Sequence, residues 1–117
     1  MDDLELLIIR NLSDDLLRSK YRGNNNNLYG HCYVATEAYY HLMDEDQKDY
    51  NPAYIKIKDI THWFLKNGKT DEIIDITARQ FNFTIDYSNA KFCDFLSKEP
   101  SKRAKILINR VYEEIGN

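Results

Sequence analysis

Residues 54–76 hold the pattern that most constrains the fold of this chain, three short β-rich segments separated by turn residues. Segment 54–58 alternates Tyr, Ile, Lys, Ile and Lys, and segments 61–66 and 72–76 are rich in β-branched and aromatic residues. The residues Asn-Gly-Lys-Thr at 67–70 have the composition of a turn. Runs of this kind, bounded by turn residues, predict three antiparallel strands in sequence order.

Helical patterns precede these strands. Residues 3–9 predict a short helix, and Ser13 is a candidate N-cap for a second helix that runs through residue 20. A third helix is predicted over 32–43, because six residues there fall on one face at helical spacing: Cys32, Ala35, Thr36, Tyr39, Tyr40 and Met43.

A last helix is predicted after the strands. Pro100 suits its first turn, Gly116 ends it, and its apolar stripe consists of Ala104, Leu107, Ile108, Val111 and Ile115. Residues 44–53 and 82–98 are expected to be loops. Helices combined with a small antiparallel sheet predict an α+β fold, with residues 1–117 as a single domain.

Composition excludes several broad classes of protein. The formal net charge of −3, with 16 basic and 19 acidic side chains, argues against a general nucleic-acid-binding surface. The longest apolar run, residues 6–9, is far too short to span a membrane, and the acidic N-terminus lacks the basic start of a signal peptide. Cys32 and Cys93 are therefore expected to be reduced thiols of a cytoplasmic protein.

The second predicted hairpin places a histidine beside a carboxylate. If 67–70 form the turn, Lys66 faces Asp71 and His62 faces Asp75, and directly opposite residues share a face with Cβ atoms about 4.5–5.5 Å apart. A carboxylate there accepts the Nδ1–H hydrogen bond of the imidazole and favours its charged form. The other ring nitrogen is left for a third group. A one-residue shift would send Asp75 to the opposite face.

Cys32 is the candidate third group. It opens the predicted helix 32–43, where the helix dipole and the unpaired N–H groups favour a thiolate and can donate to an oxyanion. His62 would act as the base and Asp75 would orient it. Gly30 permits close approach of a substrate to the backbone. The alternative is that Cys32 only packs in the core along the apolar face of its helix.

The order of these residues resembles that of the transglutaminase-like, papain-like cysteine superfamily. In that superfamily a His-aromatic strand is often followed on the next strand by Asp-x-Thr, and here 62–63 read His-Trp and 75–77 read Asp-Ile-Thr. This resemblance covers residues 30–77. Nearly the whole chain also resembles small proteins encoded by tailed bacteriophages, through the segments GHCYVATEAYYHL, HWFLKNG, IIDITARQF and FLSKEPSKRAKILINRV.

The superfamily resemblance implies a reduced papain-like or transglutaminase-like core that brings Cys32, His62 and Asp75 together. It implies a small cytosolic cysteine-dependent hydrolase or acyl/amide-transfer enzyme, such as a peptidase, a deamidase or a transglutaminase-like protein. Its substrate would be a peptide, a protein or a small amide, and it would need no cofactor. If the chain is phage-encoded, the enzyme would work in the host cytoplasm.

The donor to the oxyanion is less evident from the sequence. Papain-like enzymes usually carry a glutamine upstream of the cysteine for this role, and residues 20–31 contain none. The candidates for oxyanion or substrate contacts are Asn27, Tyr29, His31 and Gln80. Backbone N–H groups at the start of the cysteine helix are a further possibility.

Residues 98–103 suggest a second class of function. Lys98, Ser101, Lys102 and Arg103 crowd the start of the last helix, and basic side chains at a helix N-terminus form a phosphate site. The alternative for these residues is a solvated basic surface. An anion site would suit a non-catalytic phage protein that sequesters a phosphorylated small molecule or inhibits a host protein.

Metal binding is not expected. The residues that bind zinc in proteins are here His31, Cys32, His41, His62 and Cys93, and their spacing fits no compact zinc pattern. His41 lies nine residues after Cys32, about 180° away around the helix, so the two side chains would not converge.

Overall fold

The computed structural model describes residues 2–17, 30–44, 47 and 49–116. Their helices are α1 (Asp3–Arg10), α2 (Cys32–Leu42) and α3 (Lys102–Gly116), and their strands are β1 (Tyr50–Ile57), β2 (Ile60–Asn67), β3 (Ile73–Ile74) and β4 (Lys91–Phe92). The strands form an antiparallel sheet in the order β3-β2-β1-β4, and the helices pack on it. This architecture confirms the predicted α+β class.

The register between β2 and β3 differs from the predicted one by two residues. Leu65 lies opposite Ile74, where Trp63 was expected. The cause is Asn67, which was expected in the turn but still pairs as a strand residue, since its N–H donates to the Glu72 carbonyl. Its side-chain oxygen accepts hydrogen bonds from the backbone N–H groups of residues 69 and 70 in the turn that follows. The loop is therefore 68–71. A shift of two residues leaves every side chain on its predicted face.

The sheet is larger than predicted at one end. Residues 50–53 were expected in a loop but begin β1, and β4 lies inside the segment 82–98 that was expected to be irregular. Pro52 is tolerated because its nitrogen points away from β2, toward the side on which β4 pairs only with Ala53 and Tyr54. The carbonyl of Pro52 accepts the N–H of Cys93 on that side.

Two of the predicted helices also differ from the observed structure. Residues 14–16 form only a short 3-10 turn, and Leu17 is already extended, so the described part of the predicted second helix is not α-helical. The side chain of Ser13 makes no capping hydrogen bond. Helix α3 begins after Ser101, so Pro100 precedes the helix, and Ile115 is exposed at the end of the predicted stripe.

Helix α2 is the centre of the larger hydrophobic core. It packs against α1, α3 and the face of the sheet that carries Leu65. Because neighbours surround it, α2 is buried beyond the single face that its spacing predicts, and even Glu37 is only 1% exposed. The opposite face of the sheet carries Phe64 in a smaller core with Tyr87. His62, two residues before Phe64, belongs to this second face.

Candidate active site

His62 and Asp75 form a buried hydrogen-bonded pair. Nε2 of His62 lies 2.6 Å from Oδ2 of Asp75, and the side chains are 0% and 4% exposed. In the observed register Asp75 is diagonal to His62 rather than directly opposite, but the two share a face because the shift is even. The expectation that Nδ1 would face the carboxylate is wrong. Nε2 makes this bond, which leaves Nδ1 for a third group.

Cys32 lies at the edge of β2 beyond the end of β3. The carbonyls of alternate residues along β2 point toward β3, but β3 pairs only with Leu65 and Lys66. Nearer the start of β2, side chains of α2 bind the carbonyls that β3 does not reach. The Cys32 thiol donates to the Thr61 carbonyl at 3.6 Å, and the Thr36 hydroxyl donates to the Trp63 carbonyl at 3.2 Å. The first turn of α2 is thereby attached to the strand that carries His62.

The pKa of His62 is raised to about 9, from an ordinary value of 6.5. Burial acts in the opposite direction and lowers this pKa, because it penalises the charged ring. The hydrogen bond to Asp75, and then the hydrogen-bonding and charge interactions with Cys32, outweigh that penalty. Since Asp75 occupies Nε2, Nδ1 is the nitrogen available to Cys32. Among the described residues this Nδ1 is buried and has no hydrogen-bond partner. The structure thus shows a group centred on the hydrogen bond between His62 and Asp75, with His62 charged at neutral pH and Cys32 near enough to contribute to its raised pKa.

Tyr87 is a member of this group that sequence reasoning missed. Its hydroxyl donates to Oδ2 of Asp75 at 2.6 Å, the same oxygen that binds His62. Burial, followed by this bond to a carboxylate, raises the pKa of Tyr87, so its hydroxyl stays protonated and remains a donor. Tyr87 lies in a segment without regular structure, and no sequence spacing links it to the hairpin. Phe81 completes the enclosure with its ring at 5.0 Å from the ring of His62, edge to face.

Removal of the Tyr87 hydroxyl is expected to destabilise the protein. Tyr87→Phe should lower the free energy of unfolding by about 1–2 kcal/mol, because the buried Asp75 carboxylate loses a charge-assisted hydrogen bond. Urea unfolding measures this change. Tyr50→Phe is the matched control, since the Tyr50 hydroxyl binds Glu72 at an exposed position and its loss should cost under about 0.5 kcal/mol. Equal losses in the two variants would contradict the assigned role of Tyr87.

Cys32 borders a cavity of about 350 Å³, which we call the Cys32 cleft. Its walls come from the first turn of α2, the turn between β1 and β2, the start of β2, and the residues just before and within the first turn of α3. Part of the wall is aromatic and consists of Tyr33 and Trp63, whose ring centroids lie 5.0 Å apart in an edge-to-face contact. Leu96, which is 90% exposed, extends this apolar part.

The residues predicted to contact the oxyanion or the substrate differ in their position relative to the Cys32 cleft. Gln80 lines the Cys32 cleft. His31 is buried and does not line it, and its Nε2 lies 3.0 Å from the Ser13 carbonyl. Asn27 and Tyr29 lie outside the described residues. The N–H groups of the first turn of α2 belong to residues that line the cleft, and helix geometry provides these groups with no partner inside the helix.

The four anion-site candidates are also separated. Ser101 and Arg103 line the Cys32 cleft, whereas Lys98 and Lys102 are exposed and do not. An internal carboxylate already occupies the start of α3. The two oxygens of Glu37 accept from the N–H of Ser101 at 2.6 Å and from its hydroxyl at 2.7 Å. The helix N-terminus that suggested a phosphate site therefore binds a group of the protein itself.

Across the described parts of the chain, no group of three or more His, Cys, Asp or Glu side chains is arranged to hold a metal ion. None of the helices found there is long and apolar enough to cross a membrane. Both cysteines are free thiols, with Cys32 buried and Cys93 exposed. Comparison of the chain with protein-family models, with curated proteins and with solved structures finds no match.

Proposed function

We propose that this chain is a small cysteine-dependent hydrolase or acyl/amide-transfer enzyme, of papain-like or transglutaminase-like type, that uses Cys32, His62 and Asp75. The observation that carries the proposal is the buried hydrogen bond between His62 and Asp75 on a ring that also interacts with the cysteine at the first position of α2. A packing cysteine needs no buried ion pair beside it. A nucleophilic cysteine needs an oriented base and a cleft.

The proposed reaction begins with the Cys32 thiolate, for which the His62 imidazolium is the counter-ion. The sulfur forms a bond to the carbonyl carbon of an amide or thioester, and the C=O electron pair moves to the oxygen. When the C=O bond re-forms, the bond to the leaving group breaks and His62 gives its proton to that group. Water then attacks the resulting thioester, its proton passes to His62, and the thiolate returns. In a transfer reaction an amine replaces water.

The remaining groups have proposed supporting roles. Asp75 orients His62 and stabilises its charge, with Tyr87 holding the carboxylate. The N–H groups at the start of α2, and the side chain of Gln80, are the proposed donors to the oxyanion. The two free thiols suit a reducing compartment, and we propose the cytoplasm as the working environment.

An activated ester tests this chemistry without knowledge of the natural substrate. p-Nitrophenyl acetate should acetylate Cys32 and release one nitrophenolate per chain in a rapid first phase, followed by slower turnover as water cleaves the thioester. Intact-protein and peptide mass spectrometry identify the acetylated residue. Cys32→Ala should abolish the rapid phase, whereas Cys93→Ala should keep it. A rapid phase that survives in Cys32→Ala would overturn the proposal.

A binding protein without catalysis is the second candidate. It is favoured by the hydrogen bond from the Cys32 thiol to the Thr61 carbonyl, which suits a packing role, and by an arginine in the cleft. Under this alternative the protein sequesters a phosphorylated small molecule or blocks a host protein. Biological activity would then survive Cys32→Ala and be lost when Lys102 and Arg103 are both changed to Glu.

A further inference from the structure

Among the described residues that line the Cys32 cleft, one is cationic, namely Arg103 from the first turn of α3. Among the described residues its guanidinium makes one hydrogen bond, from Nη1 to the Leu16 carbonyl at 3.2 Å, and it pairs with no carboxylate. A guanidinium has five N–H donors in a planar fork that matches carboxylate and phosphate oxygens. This fork therefore has further donors available in the cleft that Cys32 also lines.

In the part of the chain that the structure describes, the other charges near the cleft do not compete with Arg103 for an anion. Glu37 occupies the start of α3, so the helix N-terminus offers no competing anion site. The exposed Lys98 and Lys102 lie outside the cleft. Asp59, in the turn between β1 and β2, is the one acidic residue in the described part of the lining. Its negative charge disfavours a bound anion, so its removal tests the electrostatic potential in the cleft.

We propose that the Cys32 cleft takes a substrate with an anionic group, a carboxylate or a phosphate, that binds Arg103. The apolar part of this substrate lies against the apolar side of the lining, at Tyr33, Trp63 and Leu96. The inference rests on the proposed function, because it assumes that Cys32 is the reacting group. It adds a substrate class, namely acyl compounds or amides that carry a negative charge near the reacting carbonyl.

Two alkylating reagents of nearly equal size test the inference. Iodoacetate carries a carboxylate where iodoacetamide carries a neutral amide, and both transfer a carbon to sulfur with loss of iodide. The rate with iodoacetate divided by the rate with iodoacetamide is measured at Cys32 and at the exposed Cys93. The quotient at Cys32 should be about tenfold larger than the quotient at Cys93, because a cation in the same cleft attracts the anionic reagent. Peptide mass spectrometry measures both cysteines in one sample.

Variants of Arg103 separate the effect of its charge on the rate ratio from that of His62. His62 is also cationic, but it is present and unchanged in every variant that is compared. Arg103→Gln should lower the normalised ratio at least about fivefold, and Arg103→Lys should keep it within about twofold, since the charge remains. Asp59→Asn should raise the ratio. Lys105→Gln, an exposed position on the same helix, is the matched control and should leave the ratio unchanged. An unchanged ratio in Arg103→Gln would overturn the inference.

Protection experiments distinguish the two kinds of anion. Acetate and inorganic phosphate are each added before iodoacetamide, and the one that slows alkylation of Cys32 more identifies the substrate as carboxylate- or phosphate-bearing. Either protection should disappear in Arg103→Gln, and protection equal in both proteins would overturn the inference. Failure of the proposed function gives a different result, namely a Cys32 that reacts no faster than Cys93 with either reagent.

Discussion

Cys32 is expected to react with iodoacetamide about 100-fold more slowly in His62→Ala than in the unaltered chain at about pH 6. An unassisted thiol is almost entirely protonated at this pH, and only the thiolate reacts. In the unaltered chain His62 is an imidazolium at this pH, because its pKa is raised to about 9, and Cys32 contributes to that rise. Its removal takes away the charge that favours the thiolate. Rates are measured by mass spectrometry of the alkylated peptides.

The chain offers two controls for this experiment. Cys93 is an exposed thiol whose rate should be the same in both proteins and should be well below that of Cys32 in the unaltered chain. His41→Ala removes a histidine that has no part in the site and should leave Cys32 fast. Asp75→Asn should have an intermediate effect of about tenfold, since His62 remains but loses its charge partner. A Cys32 that reacts equally fast in His62→Ala would show that the histidine does not activate it.

The stability of the protein should fall as the pH rises from about 6.5 to about 9. The pKa of His62 is about 9 in the folded chain and near 6.5 when unfolded, so the folded state binds the proton more tightly. The stabilisation is complete below about pH 6.5 and is lost as the pH passes through 9. A difference of this size corresponds to at most about 3 kcal/mol. Urea unfolding at a series of pH values up to about 9.5 measures it.

Replacement of the histidines separates this effect from other titrations. His62→Gln should flatten the stability profile between about pH 6.5 and 9, whatever its effect on the absolute stability. His41→Gln should retain the slope, because His41 lies outside the site. A slope of equal size in the unaltered chain and in His62→Gln would contradict the assignment to His62. Above about pH 10 the buried tyrosines also contribute, since burial raises the pKa of Tyr39 and Tyr87.

Several elements followed from local sequence pattern, because each depends on neighbours within one or two turns of chain. The alternation along β1, the β-branched and aromatic composition of β2, the start of α2 at Cys32 and the apolar stripe of α3 are all of this kind. The face shared by His62 and Asp75 was also predictable, since the period of two in a strand survives an even shift of register. That the two side chains share a face therefore depended only on the hairpin and on an even shift of its register.

Other features were decided by contacts between distant parts of the chain. Strand β4 is only two residues long, Lys91–Phe92, and both residues are exposed, so only pairing with β1 identifies it as a strand. Glu37 has the sequence position of a surface residue on α2, but the packing of α3 buries it and supplies Ser101 as its partner. Tyr87 reaches Asp75 because the segment 81–90 folds over the second face of the sheet.

By itself, the sequence determined the α+β class, the helix that begins at Cys32 and the hairpin that places His62 on the same face as Asp75, because short-range periodicity encodes all three. Only the tertiary structure decided which nitrogen of His62 meets Asp75, the attachment of Cys32 to the edge of β2, and the convergence of Arg103 on the same cleft. The physical reason is that packing of α2 and α3 on the sheet determines these distances, and packing depends on side chains far apart in the chain.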